Sequence, residues 1–289
     1  MGWRVAELRV ARTLDALRAG CAALAGSGQA GRDIAFVPTM GALHAGHAAL
    51  VDTAVASGAA VVASIFVNPL QFAAGEDLSR YPRTEDADLA LLAAHGCRLV
   101  WLPDAGTMYP ADEATMIEMA GPALGWEGTA RPGHFRGVAT VVAKLFGQVR
   151  PDTAYFGEKD WQQLQVVTRM AADLLLPVRI LGVPTVRDTD GLALSSRNRF
   201  LSAGERATAA VLPHVLRAAA DALGRGAEVA DTLTGARAAL AGAGFAIDYL
   251  DMVDGPSLRR LARVATGCRV LTAARLGSVR LLDNFAVET

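Results

Sequence analysis

The chain has 289 residues, of which 52% are hydrophobic and 20% are charged, and its formal net charge is −1. This composition supplies a full hydrophobic core and excludes extensive disorder. The balance of charge argues against a nucleic-acid binder with a broad basic surface, although a small anionic ligand needs only a local cluster of positive groups.

Neither export nor membrane insertion is predicted. The first 20 residues carry charges every few positions and lack the apolar segment of a signal peptide. The longest apolar run, residues 59–67, is too short to span a membrane. Cys21, Cys97 and Cys268 are widely separated and have no metal-binding spacing, which indicates buried thiols in a reducing compartment. We therefore expect a cytoplasmic protein.

Short apolar runs alternate with helical patterns as far as about residue 185, which is typical of a parallel α/β sheet. The predicted helices cover residues 14–24, 46–57, 85–94, 137–149 and 161–175. The predicted strands cover residues 34–37, 61–67, 99–102, 153–156 and 178–183. This alternation predicts a doubly wound, Rossmann-like domain over residues 1–185.

The pattern changes after about Val186. A capping box at residues 202–205 predicts a helix that continues to about residue 223, and a second helix is predicted over residues 231–241. Strand-like segments then follow one another without helices between them, at residues 247–253, 269–273 and 279–282. This arrangement predicts a smaller α+β domain over residues 186–289.

Two histidines follow the first predicted strand of the sheet, in Phe36-Val-Pro-Thr-Met-Gly-Ala-Leu-His-Ala-Gly-His47. His44 and His47 share one face of a predicted helical first turn, where free N–H groups and positive potential favour phosphate. Gly41 and Gly46 allow the backbone to approach a ligand closely. The alternatives are a metal pair, which would need a third ligand that this stretch lacks, and ordinary surface histidines.

Three more segments place polar side chains after strands or at the domain boundary. Asn68-Pro-Leu-Gln71 and Phe156-Gly-Glu-Lys-Asp160 each follow a predicted strand, and ligands gather at the carboxyl ends of parallel strands. Both segments are also compatible with plain turns. Residues 195–197, Ser-Ser-Arg, offer a compact set of phosphate donors, and a polar interdomain loop is the alternative.

His-x-Gly-His at this position resembles the signature of the nucleotidyltransferase superfamily, and the wider pattern resembles the pantothenate synthetase family. Six segments carry this resemblance in the family's order and spacing, and the tail at 275–284 is a weaker match. The six segments are residues 38–47, 66–72, 76–84, 131–138, 155–163 and 187–198. Leu194 stands where many members of the family have Met, and Trp161 stands where Tyr is usual.

The resemblance implies an enzyme that joins pantoate to β-alanine, with ATP and Mg²⁺, through a pantoyl-adenylate that releases AMP and pyrophosphate. It implies a homodimer whose domain over residues 1–185 binds nucleotide and pantoate and whose domain over residues 186–289 acts as a lid. Its partners would be these small molecules, without nucleic acid or membrane. The protein ligands of the metal are not implied.

The family's functional residues transfer to matching positions of this sequence. The implied catalytic residues are His44, His47, Lys159, Ser195, Ser196 and Arg197. ATP contacts are implied for these six and for Met40, Gly41, Gly46, Phe156, Gly157, Glu158, Asp160, Val186 and Leu194. Pantoate contacts are implied for Pro38, Met40, Gln71, Arg131 and Gln163, and Gln71 would also contact β-alanine. For Arg131 the alternative is a loop anchor shared with His134.

Only two of the 28 basic residues are lysines, Lys144 and Lys159. Lys159 lies in the segment that the resemblance assigns to ATP, where a compact ammonium and the wider fork of arginine place their donors differently. Lys144 lies among apolar residues of a predicted helix, and for this side chain we expect a buried stem with a solvated head.

Overall fold

The computed structural model describes residues 8–26, 33–72 and 77–288, and it divides into two compact units. The first unit takes in the chain up to Met119 together with Arg131–Glu158 and Val166–Val183. The second unit takes in Ala120–Ala130, Lys159–Gln165 and the chain from Pro184 onward. Two stretches that precede residue 185 therefore belong to the second unit. Glu76, in one of the matching segments, and the first seven residues lie outside the described ranges.

The first unit is built on a parallel sheet of six strands. Its strands are β1 (Arg9–Ala11), β2 (Ile34–Thr39), β3 (Ala60–Ile65), β4 (Leu99–Trp101), β5 (Thr153–Gly157) and β6 (Arg179–Val183). The order across the sheet is β1-β4-β3-β2-β5-β6. From β2 the chain builds the sheet outward through β3 and β4, and later returns to the other side of β2 with β5 and β6. The predicted doubly wound class is confirmed, and the point where the order reverses lies between β2 and β5.

Helices connect these strands. They are α1 (Leu14–Ala25), α2 (Ala45–Ala56), α3 (Glu85–Ala94), α4 (Ala105–Met108), α5 (Trp126–Ala130), α6 (His134–Val149) and α7 (Trp161–Asp173). The five predicted helices and five predicted strands of this region are confirmed to within a few residues. The prediction missed β1, α4 and α5, which have only three to five residues each and so carry almost no periodic signal.

The second unit contains an antiparallel sheet of three strands and three further helices. The strands are β7 (Ala246–Asp254), β8 (Cys268–Leu276) and β9 (Val279–Ala286), and the helices are α8 (Ala203–Ala209), α9 (Val211–Gly224) and α10 (Val229–Gly242). The single helix predicted from residue 202 is interrupted at Ala210. Pro213 explains the interruption, because it has no N–H to donate to the carbonyl of Ala209.

A buried ion pair ties α5 to the sheet of the second unit. The Glu127 carboxylate accepts hydrogen bonds from the Arg280 guanidinium, at 2.8 Å for Nη1, and from the Tyr249 hydroxyl at 2.9 Å. Burial and the Glu127 charge raise the pKa of Tyr249 well above its ordinary value, so the phenol remains a donor. This network explains why a short stretch before residue 185 groups with the strands near the end of the chain.

The three cysteines are free and buried, as predicted. Burial raises the pKa of the Cys97 thiol to about 12 and that of Cys21 to about 11, so both stay protonated near neutral pH. Within the described ranges, the structure has no helix long and apolar enough to cross a bilayer.

Candidate functional site

The loop after β2 is held by a buried carboxylate that the sequence analysis did not single out. Gly41 and Ala42 have left-handed φ values of 81° and 51°. The Asp88 side chain, on α3, accepts hydrogen bonds from the backbone N–H groups of Ala42 at 3.0 Å and Leu43 at 2.8 Å. A left-handed conformation costs an L-residue about 1–2 kcal/mol, which these two hydrogen bonds offset at Ala42. The fixed loop sets where α2 begins.

The two histidines at the start of α2 are locked in one tautomer by the backbone. Nδ1 of His44 accepts a hydrogen bond from the Gly46 N–H at 3.1 Å, and Nδ1 of His47 accepts from the His44 N–H at 3.3 Å. A ring nitrogen that accepts carries no proton, so in both rings the proton is on Nε2. The ring centroids are 4.2 Å apart. The pair therefore presents two Nε2–H donors from one helix N-terminus.

The backbone carbonyl of Gln71 is the anchor point for the segment that begins α6. Arg131 donates to this oxygen through Nη2 at 3.2 Å, and His134 donates through Nδ1 at 2.9 Å. Because His134 uses Nδ1 as the donor, its Nε2 can accept from Nη1 of Arg131, 3.2 Å away. The structure thus supports the loop-anchor alternative for Arg131, and it places this guanidinium beside Gln71.

The amide of Gln71 is itself oriented by its neighbours. Its Oε1 accepts from Nδ2 of Asn68 at 3.0 Å, and its Nε2 lies 3.0 Å from the sulfur of Met40. Asn68 is 1% exposed and Gln71 is 9% exposed, so these amides are held in a dry environment. Met40 and Gln71, which the resemblance assigns to pantoate, are therefore in contact, and Pro38 lies two residues before Met40 at the end of β2.

Helix α6 approaches the Gln71 segment so closely that only glycine fits at position 137. A Cβ at Gly137 would lie 2.2 Å from the carbonyl oxygen of Leu70 and 2.6 Å from the N of Gln71. Both are backbone atoms and cannot rotate away. The Gly137 carbonyl also accepts from Nδ2 of Asn68 at 3.1 Å. The backbone of α6 therefore fixes residues 68–71 directly.

The carboxyl end of β5 carries Phe156 and Gly157, and Glu158 follows in the first unit. The next residues belong to the second unit. There the Lys159 ammonium lies 3.3 Å from Oδ1 of Asp160, and the Lys159 carbonyl accepts from Nδ2 of Asn284 at 3.0 Å. Asn284 is 3% exposed. This buried amide, from the weakly matching tail of the sequence, holds the backbone of the lysine in place.

Trp161 and Gln162 anchor the start of α7 within the second unit. The Trp161 ring lies beneath the Arg269 guanidinium at 3.8 Å, and its Nε1 donates to the carbonyl of Gly255 at 2.8 Å. The buried Gln162 donates to the Pro122 carbonyl at 2.9 Å. Gln163 is the next residue along this anchored helical turn and is half-buried.

Val186 and Leu194 are joined across a tight turn in the second unit. The Leu194 N–H donates to the Val186 carbonyl at 3.0 Å. Ser195 follows, and its hydroxyl accepts from the N–H of Arg197 at 3.3 Å, at the start of the 3₁₀ helix Ser196–Phe200. The structure therefore brings the predicted ATP residues at 186 and 194–197 into one turn and one helix start.

Arg187 secures this turn. Its guanidinium makes two hydrogen bonds with Asp283, at 2.7 and 2.8 Å, and lies 4.1 Å from the centre of the Phe285 ring. The Asp283 side chain is 1% exposed. The adjacent residues Asp283 and Asn284 of β9 thus hold two different predicted ATP segments, through Arg187 and through the carbonyl of Lys159.

The expectation of a solvated Lys144 head is wrong. Its ammonium lies 2.6 Å from Oε1 of Glu113, donates to the Met108 carbonyl, and lies 4.9 Å from the centre of the Tyr109 ring. The lysine side chain is 27% exposed and that of Glu113 is 11% exposed. Met108, at the end of α4, and the following residues Tyr109 and Glu113 supply three partners for the ammonium of Lys144 on α6. The helical pattern of α6 alone does not show them.

Within the described ranges no group of three or more histidine, cysteine or acidic side chains is arranged to hold a metal ion. In both His44 and His47, Nδ1 also accepts a hydrogen bond from a backbone N–H. A ring nitrogen that accepts a backbone N–H leaves the proton on Nε2, so this arrangement does not favour the metal-pair alternative for the two histidines.

Comparisons with known proteins identify the family of this chain. The model of the family described as pantoate-beta-alanine ligase matches residues 9–286. The chain belongs to this family. It is 58% identical to the pantothenate synthetase of Granulibacter bethesdensis over 279 residues, which cover 96% of each chain. It is therefore an enzyme, a ligase of pantothenate biosynthesis.

Two solved structures share the fold over nearly the whole chain. The pantothenate synthetase of Thermus thermophilus is 48% identical, with a TM-score of 0.90, and the match covers 98% of this chain and 100% of that one. The pantoate-beta-alanine ligase of Francisella tularensis, in complex with beta-gamma ATP and beta-alanine, is 31% identical with a TM-score of 0.82, and the match covers 98% and 99%. Both support the sheet architecture described above.

The close approach at Gly137 gives a prediction with a matched control in the same helix. Gly137→Ala should lower the free energy of unfolding by at least about 2 kcal/mol, since the added methyl overlaps backbone atoms of residues 70–71. Gly147→Ala meets no atom within 4 Å and should be neutral or stabilising by up to about 1 kcal/mol, through helix propensity. Urea unfolding of both variants measures the difference. Equal stabilities would show that the helix adjusts at low cost.

Proposed function

We propose that this enzyme condenses pantoate with β-alanine in two ATP-dependent steps, through a pantoyl-adenylate, and releases AMP and pyrophosphate. The observation that carries the proposal is the locked His44–His47 pair at the N-terminus of α2. Two fixed Nε2–H donors in this position suit the oxygens of a polyphosphate. The complex of the Francisella relative with beta-gamma ATP and beta-alanine supports the nucleotide.

A free carboxylate is a poor acylating agent because its leaving group would be oxide. Attack of a pantoate carboxylate oxygen on the α-phosphorus of ATP forms a mixed anhydride and breaks the bond to pyrophosphate. The amine of β-alanine then attacks the acyl carbon, loses a proton, and displaces AMP. No nucleophile of the enzyme is needed, so the protein's contribution is alignment and the stabilisation of charge that builds on pyrophosphate.

We assign the charge-stabilising role to six residues. His44 and His47 donate through Nε2, Lys159 contributes a compact cation, and residues 195–197 contribute two hydroxyls and a guanidinium. The remaining proposed ATP contacts are Met40, Gly41, Gly46, Phe156, Gly157, Glu158, Asp160, Val186 and Leu194. ATP enters as its Mg²⁺ complex, and the phosphates and water supply the oxygen ligands that this ion prefers.

The acid is assigned to Pro38, Met40, Gln71, Arg131 and Gln163. Gln71 is the best supported of these, because its Nε2 remains a donor once Oε1 is occupied by Asn68. Such a donor suits a carboxylate or hydroxyl oxygen of pantoate, and Gln71 also serves the carboxylate of β-alanine. From the family resemblance alone, we extend the proposal to a homodimer that works in the cytoplasm.

The order of the two steps gives the main test. Exchange of labelled pyrophosphate into ATP should require pantoate and should proceed without β-alanine, because the adenylate forms before the amine reacts. Incubation of the enzyme with labelled pyrophosphate, MgATP and each acid or amine alone measures this directly. Exchange that depends on β-alanine, or that needs no acid, would overturn the two-step mechanism.

The histidine pair should matter to chemistry more than to folding. His44→Ala and His47→Ala should each lower the rate of adenylate formation by about 10²–10³-fold, which is typical for the loss of one preorganised donor. Single-turnover adenylation gives the rate, and thermal unfolding shows whether the capping contacts at α2 have been lost as well. Near-normal rates in both variants would assign the pair a purely structural role.

Lys159 should not be replaceable by arginine. The Lys159 side chain is 18% exposed and its ammonium lies beside Asp160, on a backbone that Asn284 fixes, so the longer planar fork cannot place its donors at the same point. A displacement of about 1 Å in such a site can cost about 10²-fold in rate. Lys159→Arg should therefore lose most adenylation with an unchanged melting temperature. A variant as active as the parent would show that charge alone is sufficient.

A further inference from the structure

A continuous line of contacts within the first unit leads from Lys144 on α6 to the amide of Gln71. Lys144 is 2.6 Å from Glu113, donates to the Met108 carbonyl, and faces the ring of Tyr109 at 4.9 Å. The ammonium thus touches both the ring of Tyr109 and the backbone of the residue before it. Through these contacts it limits where the phenol can point.

The Tyr109 hydroxyl reaches the buried side chain of Asn68. It donates to Oδ1 of Asn68 at 2.6 Å, and the same oxygen accepts from the Leu70 N–H at 3.2 Å. Nδ2 of Asn68 donates to the carbonyl of Gly137 at 3.1 Å and to Oε1 of Gln71 at 3.0 Å. The Leu70 N–H cannot accept and the Gly137 carbonyl cannot donate, so these two backbone groups set the orientation of the Asn68 amide. The Tyr109 hydroxyl adds a third hydrogen bond that holds the amide in this orientation.

The orientation of Asn68 determines that of Gln71. With its donor nitrogen on Oε1 of Gln71, Asn68 directs the other end of the Gln71 amide, Nε2, toward Met40. If Asn68 were free to turn, Oε1 and Nε2 of Gln71 could exchange places. An acceptor would then face an anionic acid in place of a donor, which is unfavourable in a dry site.

We infer that Tyr109 is a positioning residue for the acid-binding amide of Gln71, and that Lys144 holds Tyr109 in place. Tyr109 acts through Asn68 and has no contact with substrate assigned to it. The inference rests on the proposed role of Gln71 in binding pantoate. It adds that residues outside the segments that identify the family help to hold the donor end of this amide in place.

The phenol is suited to a permanent donor role. Burial, with a smaller contribution from the charge of Glu113, raises the pKa of Tyr109 well above its ordinary value. The hydroxyl therefore stays protonated throughout the neutral range, and the orientation of Asn68 does not vary with pH there.

The test compares Tyr109→Phe, Gln71→Ala and the double variant by steady-state kinetics. Tyr109→Phe should raise the KM for pantoate by about three- to tenfold, the effect expected from one hydrogen bond, and leave the KM for ATP unchanged. In the Gln71→Ala background the same substitution should change the pantoate KM by less than about twofold, because the group through which it acts is gone.

The matched control is Tyr249→Phe, which also removes a phenol hydrogen bond, the one to Glu127 in the second unit. It should lower the melting temperature and leave the pantoate KM unchanged. An equal rise of the pantoate KM in this control would show that general loosening explains the effect, and would overturn the inference.

The outcomes separate the two proposals. An unchanged pantoate KM in Gln71→Ala would overturn the role of Gln71 itself. A raised KM in Gln71→Ala together with a normal KM in Tyr109→Phe would leave that role intact and overturn the positioning by Tyr109. Full additivity of the two substitutions would also overturn it, since Tyr109 would then act by another route.

Lys144 is tested with its partner replaced at the same time. Lys144→Met alone leaves the carboxylate of Glu113, 11% exposed, without its cation, which threatens the fold. In the double variant Lys144→Met with Glu113→Gln, the buried charge is absent. Its pantoate KM should rise about two- to threefold with the ATP KM unchanged, the weaker effect expected of a residue one contact further away. An unchanged pantoate KM would remove Lys144 from the inference.

Discussion

The close approach of α6 to residues 69–71 is the constraint that fixes Gln71, the residue proposed to bind the acid. At Gly137 the helix backbone contacts the backbone of Leu70 and Gln71, and its carbonyl receives a hydrogen bond from Asn68. One turn earlier, His134 donates to the carbonyl of Gln71. Helix α6 therefore holds residues 68–71 through one close backbone approach and two side-chain hydrogen bonds, which gives the 3₁₀ turn Pro69–Gln71 the rigidity of regular structure.

In the second unit, two adjacent side chains of β9 hold the segments that are proposed to bind ATP. Asp283 holds Arg187 at the turn that carries the predicted phosphate donors, and Asn284 holds the carbonyl of Lys159. Side chains of neighbouring residues in a strand point to opposite faces. Asp283 and Asn284, next to each other on β9, can therefore bind two segments that are distant in sequence. Both units thus fix the segments proposed to bind substrates with buried polar groups whose hydrogen bonds are satisfied.

The fold was predictable from the sequence because its signals are local. Apolar runs marked β2 to β6, and the turn motifs after β2, β3 and β5 marked the segments proposed to bind substrates. The supporting residues were not predictable in this way. Asp88 is one acidic residue among several at the start of α3, and Tyr109 follows a four-residue helix without a pattern. Their roles arise from contacts across 41 to 46 positions, which no local signal reports.

The arginine-rich composition has a practical consequence once the two lysines are located. Both side-chain amines are partly shielded, with 27% of the Lys144 side chain and 18% of the Lys159 side chain exposed, and each lies against a carboxylate. An amine-reactive reagent therefore meets only two side-chain targets, one in each unit. The labelling rate at Lys144 reports on transient opening around Tyr109, and the rate at Lys159 reports on the segment proposed to bind ATP. Peptide mass spectrometry after digestion can follow both without the background that a lysine-rich surface would produce.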